Sequence, residues 1–146
     1  MKMQESGENY LETILVLKQK NGYVRSIDIA TELSFSKPSV SYAMKRLKEN
    51  GYIHMGKDGG ITLTEKGLEI AERIYERHRL LSDWLVRLGV SPEVAAHDAC
   101  RMEHVISAES FEKIKEHAAK GTRLAGGTTP DAGSAESHST GKGESR

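Results

Sequence analysis

The sequence predicts a mainly α-helical fold, and three observations support that prediction. Apolar residues recur at the spacing of a helix in several separate segments of the 146 residues. A serine or threonine precedes most of these segments, where its side-chain oxygen can cap the N-terminus of a helix. Two short apolar runs flank the glycine-containing residues 56–60, which is typical of a single β-hairpin. Residues 121–146 carry almost no large apolar side chains, so we expect a disordered tail there.

The N-terminal part of the chain contains the elements of one small module. The first helix is expected over about Glu8–Lys20, the second begins at a capping Ser26, and the third at a capping Ser36. The hairpin strands are expected over Tyr52–Met55 and Ile61–Thr64. Three helices followed by a hairpin form a winged helix-turn-helix. In helix-turn-helix modules the second helix of the pair enters the major groove of DNA, so the third helix is the candidate for recognition.

The third helix and the hairpin tip carry residue types that suit DNA. With Val40, Met44 and Leu47 facing inward, the opposite face offers hydroxyls, a tyrosine and basic side chains that can contact bases and phosphates. The net charge is zero, so affinity for DNA must come from this local arrangement. An ordinary solvated helix face is the alternative interpretation. The candidate DNA-binding residues are Lys37, Pro38, Ser39, Ser41, Tyr42, Lys45, Arg46 and Lys57.

The residues after Thr64 predict a helical region that pairs two copies of the chain. A long helix begins at Thr64 and ends before Gly89, and shorter helices begin at Ser91 and Ser107. A single winged helix contacts a short stretch of DNA, so selectivity calls for two copies about one DNA turn apart. We therefore expect a homodimer. The apolar side chains that exceed what one helix can bury by itself are Leu80, Leu81, Trp84, Leu85 and Leu88.

A run of metal-ligating residue types lies on the helix that begins at Ser91. His97 lies three positions before Cys100, and Glu103 and His104 lie three and four positions after it, so the four residues share one side of a helix. Thiolate, carboxylate and imidazole groups at this spacing can bind one transition-metal ion. The spacing alone is also compatible with a buried Cys100 that only fills the core and with surface positions for its neighbours.

Two other helices offer donors that can complete such a site. His78 lies in the middle of the long helix, and Asn9 and Glu12 share one side of the first helix. Side chains from three separate helices can therefore converge on one cation. Because the first helix belongs to the DNA-binding module, we expect such a cation to connect DNA binding to metal availability.

Five segments in this order make the chain resemble the iron- and manganese-dependent repressors typified by the diphtheria toxin repressor and the manganese transport regulator (the DtxR/MntR family). The resemblance covers about residues 4–118. The segments are ENYLETI in the first helix, SKPSVSYAMKRLKENGYI in the recognition helix, LTEKG after the hairpin, ERHRLL in the long helix, and DACRMEHVIS.

The resemblance implies that Cys100, Glu103 and His104 are metal ligands, together with His78. Cysteine at position 100 is similar to the iron-dependent branch, whereas Glu12 matches a glutamate that the manganese-dependent branch uses. The chain departs from both branches at Asn9, where the iron branch has methionine and the manganese branch aspartate.

Two further departures concern the ancillary parts of the family pattern. His97 lies one position away from the histidine that the iron branch uses in its ancillary site, so we regard it as an additional candidate ligand. The SH3-like domain of the longer members has no counterpart here, so we expect no ligands from one.

The resemblance implies a metal-dependent repressor of metal-homeostasis genes, with Fe(II) as the first candidate ion and Mn(II) as the alternative. Co(II), Ni(II) and Zn(II) are expected to activate it in vitro, because the general affinity order favours them. The expected domains are a DNA-binding domain over residues 1–64, a dimerisation and metal-binding domain over 65–120, and the tail. The expected partners are double-stranded operator DNA, a second copy of the chain and a divalent metal ion.

Other functions predict different chemistry. A winged-helix regulator that senses oxidation at Cys100 or an organic ligand, without metal, is the main alternative. An enzyme with Cys100 as nucleophile and His104 as base lacks an evident orienting group, so we expect no enzymatic activity. Since no stretch of about 18 apolar residues occurs and no secretory signal precedes the first helix, we expect a cytoplasmic protein without a membrane partner.

Overall fold

The computed structural model describes residues 4–121, so the predicted tail lies outside the described residues apart from Gly121. The described residues up to Val105 form one compact unit. The order of three helices, hairpin and long helix is the one that the sequence predicts. The elements are α1 (Glu5–Asn21), α2 (Ser26–Leu33), α3 (Lys37–Glu49), β1 (Ile53–Met55), β2 (Ile61–Leu63), α4 (Glu65–Arg87) and α5 (Pro92–Val105).

The predicted caps of α3 and α4 are confirmed. The Ser36 hydroxyl accepts from the Ser39 amide at 3.3 Å, and the Thr64 hydroxyl accepts from the Gly67 amide at 3.1 Å. Each such cap stabilises a helix by about 1 kcal/mol. The predicted cap at Ser26 is wrong, because Arg25 is the N-cap residue and its amide donates to the Asp28 side chain at 2.9 Å.

Helix α1 begins three residues earlier than the apolar pattern predicts. Its first turn contains Glu5 and Glu8, whose negative charges favour the positive end of the helix dipole. The helix ends at Gly22, which adopts the left-handed conformation with φ of 80° and donates its amide to the Lys18 carbonyl. Glu8 is therefore one helical turn before Glu12 rather than at the frayed start of the helix.

The apolar core of the N-terminal module lies between α1, α3 and the hairpin. Its fully buried side chains include Leu11, Ile14, Met44, Ile53 and Ile61. The two strands pair antiparallel. Burying such side chains contributes about 1.5 to 3 kcal/mol each before the entropy of ordering the chain is subtracted.

Helix α4 joins the N-terminal module to α5. It packs against both α1 and α5. At its first turn a Cβ on Gly67 would overlap the backbone oxygen of Tyr52, so glycine allows α4 to lie directly against the start of the hairpin. The Thr64 hydroxyl also donates to the Gly51 carbonyl at 2.7 Å. These contacts fix where α4 leaves the module, and thereby which side chains of α1 face α5.

The hairpin tip is held by contacts to the loop between α1 and α2. The Tyr23 hydroxyl donates to an Asp58 carboxylate oxygen at 2.6 Å, and the Arg25 guanidinium donates to the Asp58 carbonyl. The other Asp58 carboxylate oxygen accepts from the Gly60 amide at 3.0 Å. The hydrogen bond from Tyr23 lowers the pKa of Asp58, so its carboxylate form is favoured. Four residues thus order a loop that is otherwise exposed.

The described residues from Ile106 onward belong to a second compact unit. Its described part is helical over residues 108–121, as expected after Ser107, and Phe111 and Ala118 are buried. Across residues 4–121, the helices are all too short or too polar to cross a membrane.

Candidate metal centre and DNA-binding face

Three helices bring one side chain each to a shared point. Glu12 from α1, His78 from α4 and Glu103 from α5 place one ligand atom each within 4.8 Å of the others, and we call these three residues the triad. The His78 Nδ1 atom lies 2.9 Å from Glu103 Oε1. Glu103 is 0% exposed and Glu12 is 8% exposed. The triad therefore consists of two buried carboxyls and one half-buried imidazole, from residues far apart in the chain.

The electrostatics of the triad suit a cation. Burial raises the pKa of Glu12 to about 8, and the hydrogen bond to Glu103 and its charge act in the same direction. The hydrogen bond to Glu103 raises the pKa of His78 against the opposing effect of burial. Without a metal, Glu12 therefore retains its proton at neutral pH. A divalent cation can replace that proton and allow the Glu12 carboxylate to form.

An unsatisfied oxygen gives an independent test of whether a metal fits. Glu103 Oε2 is fully buried and accepts no hydrogen bond from any residue in the described part of the chain. Buried polar atoms normally have a partner, and an orphaned carboxylate oxygen among other donors is what a metal ligand looks like without its ion. Two carboxylates and an imidazole form a donor set that divalent Mn, Fe and Zn accept. The residues present therefore fit a divalent metal.

His104 lies beside the triad and contacts a residue that the sequence pattern did not indicate. Its Nδ1 atom is 2.9 Å from Glu8 Oε1, and its Nε2 atom is 3.3 Å from Glu103 Oε2. The other oxygen of Glu8 lies 3.3 Å from an Arg73 guanidinium nitrogen. The spacing of Glu8 and Glu12, one turn apart on α1, is the signal that would have identified Glu8.

Cys100 and Asn9 border the same region without joining the triad. Together with His104 they line a surface cavity of about 600 Å³ between α1 and α5. Burial raises the pKa of the Cys100 thiol, and the charges of Glu103 and Glu12 raise it further. The thiol is consequently neutral while no cation is near. The cavity offers a thiol, an amide and an imidazole beside the carboxyl-rich triad.

His97 is not brought to the cluster. Its side chain is 73% exposed, and its Nδ1 atom lies 3.7 Å from Asp98 Oδ1. The helical spacing places His97 on the same side of α5 as His104. That spacing cannot show whether a neighbouring helix extends far enough to cover His97. Two turns before His104, the side chain faces solvent.

The helix face predicted to contact DNA is exposed as expected. Val40, Met44 and Leu47 are buried, and Tyr42 on the opposite side is 64% exposed. The Arg46 guanidinium stacks over the Tyr42 ring at 5.9 Å and donates to its hydroxyl at 3.3 Å. The remaining candidates are also exposed, namely Lys37, Pro38, Ser39, Ser41, Lys45 and Lys57.

One candidate on this face has a structural role as well. The Ser36 hydroxyl donates to the Ser39 hydroxyl at 2.8 Å. The Ser39 side chain therefore takes part in the cap of α3 while it remains exposed at the helix start. Basic and hydroxyl side chains thus surround a stacked tyrosine and arginine on one open surface.

This combination of fold and site defines a metal-dependent DNA-binding transcriptional regulator. Two sequence-family models match the chain. The model described as "Iron dependent repressor, N-terminal DNA binding domain" matches residues 2–61, and "Iron dependent repressor, metal binding and dimerisation domain" matches residues 64–123. The chain belongs to this iron-dependent repressor family, which contains the DtxR, IdeR and MntR proteins. It is a transcriptional regulator and not an enzyme, and it carries a divalent-metal binding site.

Curated relatives agree with this assignment. An HTH-type transcriptional regulator of Methanocaldococcus jannaschii is 36% identical over 115 residues, which cover 77% of this chain and 92% of the relative. The transcriptional regulator MntR of Escherichia coli O157:H7 is 38% identical over 108 residues, which cover 74% of this chain and 70% of the relative.

Solved structures share the fold of most of the chain. The manganese regulator SloR superposes with a TM-score of 0.70 at 28% identity over 82% of this chain. A manganese-dependent transcriptional repressor in complex with manganese also gives a TM-score of 0.70, at 26% identity over 76% of this chain. The matches cover 55% and 51% of those two structures, so this chain spans about half their length.

Proposed function

We propose that the chain is a homodimeric repressor that binds operator DNA when a divalent ion occupies the triad, and that it controls metal-homeostasis genes in the cytoplasm. The observation that carries this proposal is that the three triad residues come from two different domains. Glu12 lies on α1 within the DNA-binding domain, whereas His78 and Glu103 lie on α4 and α5 within the metal-binding and dimerisation domain. We place the boundaries as expected from the sequence, with residues 1–64 and 65–120 as the two domains.

The triad residues supply the coupling between these domains. A bound divalent ion would supply positive charge that favours the ionised form of the Glu12 carboxyl beside Glu103. Glu12 would hold the ion from α1, and His78 and Glu103 would hold it from α4 and α5. Because α3 belongs to the same core as α1, this connection would fix the recognition helix relative to α4 and α5. In the dimer, the distance between the two recognition helices would then vary less, which favours operator binding.

The donor chemistry supports Mn(II) ahead of Fe(II) as the physiological ion. The triad contains two carboxyls and one imidazole, a largely hard donor set, while the Cys100 thiol stays outside it. This order reverses the expectation from the family resemblance, which put Fe(II) first because Cys100 is similar to the iron-dependent branch. The similarity to a regulator named for manganese points the same way. Co(II), Ni(II) and Zn(II) are expected to bind in vitro whichever ion is physiological.

Exposed apolar side chains at the end of α4 and on α5 support pairing of two copies. Leu88 is 63% exposed, and Val94 and Val105 are 50% and 70% exposed. Leu81, which the sequence suggested for this role, is fully buried within the protomer. We propose that the exposed side chains are covered by the second copy.

Operator binding under controlled metal supply tests the proposal. A DNA site selected in vitro is titrated with purified protein under anaerobic conditions, with Mn(II), with Fe(II) and with chelator, and affinity is followed by fluorescence anisotropy. We expect metal to raise operator affinity by about 5- to 150-fold, the range typical of coupled sites, and chelator to reverse the effect. Equal affinity with metal and with chelator would refute the proposal.

The same titration distinguishes the alternative that involves no metal. A regulator that senses oxidation at Cys100 binds DNA equally well with chelator but responds to peroxide. Linkage adds a second requirement, since operator DNA must raise metal affinity by the same factor by which metal raises DNA affinity.

A further inference from the structure

Glu8 connects three helices at the edge of the metal centre. It lies on α1, its Oε1 atom is 2.9 Å from His104 Nδ1 on α5, and its Oε2 atom is 3.3 Å from the Arg73 guanidinium on α4. The Glu8 side chain is 13% exposed and that of His104 only 5%. A carboxylate in this position is held by its neighbours and has little freedom to turn towards solvent.

The contact to Glu8 decides which nitrogen of His104 carries the hydrogen. A carboxylate oxygen at 2.9 Å from Nδ1 requires a hydrogen between the two atoms, so Nδ1 donates to Glu8. In the neutral ring the lone pair is then on Nε2. That nitrogen faces Glu103 Oε2 at 3.3 Å, and no hydrogen bond joins them. The lone pairs of His104 Nε2 and Glu103 Oε2 are therefore close together, and a cation between these two atoms would stabilise them.

Without Glu8, the His104 ring would lose the carboxylate that sets its tautomer and its orientation. A metal-binding histidine usually donates its other ring N–H to a carboxylate or carbonyl, which sets its tautomer and orientation and raises its basicity. Within residues 4–121, the His104 Nδ1 atom has Glu8 as its hydrogen-bond partner. Arg73 in turn holds the second oxygen of Glu8, which limits rotation of the carboxylate.

We propose that Glu8 is a positioning residue of the metal centre, which holds the hydrogen of His104 on Nδ1 and so directs the Nε2 lone pair towards a divalent cation beside Glu103. The inference rests on the proposed metal-dependent function, because it assigns a role within that same site. It adds a carboxylate that supports a ligand without touching the ion. It also adds a second connection from α1 to α5, besides Glu12.

The tautomer of His104 can be measured without any metal. Ring ¹⁵N shifts of the metal-free protein are recorded at a pH where the ring is neutral, and His104 is assigned by the signals that disappear in His104→Asn. We expect the wild-type ring to carry its hydrogen on Nδ1. In Glu8→Ala we expect this preference to be lost, and in Glu8→Gln we expect it to be kept, because the amide oxygen still accepts a hydrogen bond.

Cobalt binding measures the consequence for the ion. We expect Glu8→Ala to weaken Co(II) binding by about 10- to 100-fold, the usual effect of removing a group that orients a ligand, with the visible absorption bands unchanged in position. Glu8→Gln should recover most of the affinity. Glu32→Ala removes an exposed carboxylate on α2 and serves as the matched control with wild-type binding.

Each contrary outcome has a distinct meaning. A wild-type His104 with its hydrogen on Nε2 overturns the inference, and this test needs no variant to fold. Wild-type affinity and tautomer in Glu8→Ala also overturn it, and a shift of the absorption bands would make Glu8 a ligand instead. If the wild-type protein binds no Co(II) at all, the proposed function fails, while the tautomer measurements still decide the role of Glu8.

Discussion

The metal centre and the DNA-binding face of α3 are built in opposite ways. The triad comes from three helices, is largely buried and contains an oxygen that lacks a hydrogen-bond partner among residues 4–121. The face of α3 comes from one continuous segment, and its side chains are exposed. The metal centre therefore depends on how helices pack, whereas the face of α3 depends only on the periodicity of one helix.

This difference predicts two kinds of response to substitution. A buried ligand set has few alternative arrangements, so the loss of one member leaves the others unable to bind an ion tightly. An exposed basic face contributes through several similar contacts to phosphate, so each residue adds a moderate and roughly separable share. Substitutions in the triad should therefore act on metal response, and substitutions on α3 should act on DNA affinity alone.

The largest effect is expected for Glu103→Gln. The amide is a poor metal ligand and carries no charge, so Mn(II) affinity should fall by more than about 100-fold, beyond the loss typical of residues that merely support a ligand. The operator affinity of the variant should match that of the chelated wild-type protein. Isothermal titration of Mn(II) and operator anisotropy measure the two quantities.

A thermal measurement separates loss of the ligand from loss of the fold. Mn(II) should raise the melting temperature of the wild-type protein, because an ion that binds only the folded state stabilises it, and should leave that of Glu103→Gln unchanged. Glu93→Gln changes an exposed carboxyl on the same helix and should behave as wild type. Normal Mn(II) activation of Glu103→Gln would remove this residue from the site.

An intermediate effect is expected for Lys45→Ala on the exposed face. If each copy of Lys45 contacts one phosphate, the slope of log affinity against log salt should become shallower by about two for the dimer. Operator affinity should fall by about tenfold, and Mn(II) affinity of the free protein should not change. Lys20→Ala removes an exposed charge at the end of α1 as the control. An unaltered salt slope would place Lys45 away from the DNA backbone.

The face of α3 could be predicted from the sequence because one helix contains all the information. Val40, Met44 and Leu47 recur at helical spacing, and their burial fixes which residues are exposed. The cap at Ser36 and the cap at Thr64 are equally local, since each involves a hydroxyl and an amide three residues later. The order of helices and hairpin follows from the same kind of short-range pattern.

The metal centre could be predicted only in part, because its composition depends on how separate helices pack. The residue types at Glu12, His78 and Glu103 were identified, but spacing on α5 could not distinguish the buried Glu103 from the exposed His97. Glu8 was missed because it stood at the predicted start of the first helix and its spacing of one turn to Glu12 was not used. Its importance also depends on Arg73 from α4, which no pattern within α1 reveals.

The hairpin tip is intermediate between the face of α3 and the metal centre, because it is local in sequence but depends on one distant residue. A substitution that disturbs it should give the smallest effect on operator affinity. Lys57 and Asp58 at the tip are exposed, yet the shape of the tip depends on Tyr23, which is 35 positions from Asp58. Tyr23→Phe removes only the hydroxyl that donates to Asp58. We expect faster amide hydrogen exchange at Gly59 and Gly60, and a fall in operator affinity of no more than about fivefold, which corresponds to the net contribution of one hydrogen bond, about 1 kcal/mol.

The position of Lys57 explains why this small effect should reach DNA at all. Lys57 is exposed and immediately precedes Asp58, so an ordered tip fixes where its charge meets the duplex. In Lys57→Ala the tip has no basic side chain left to position, and adding Tyr23→Phe should then have no further effect on operator affinity. Additive losses in the double variant would mean that Tyr23 acts on DNA binding by another route. Either result leaves Mn(II) affinity unchanged, which again separates the exposed DNA-binding elements from the buried triad.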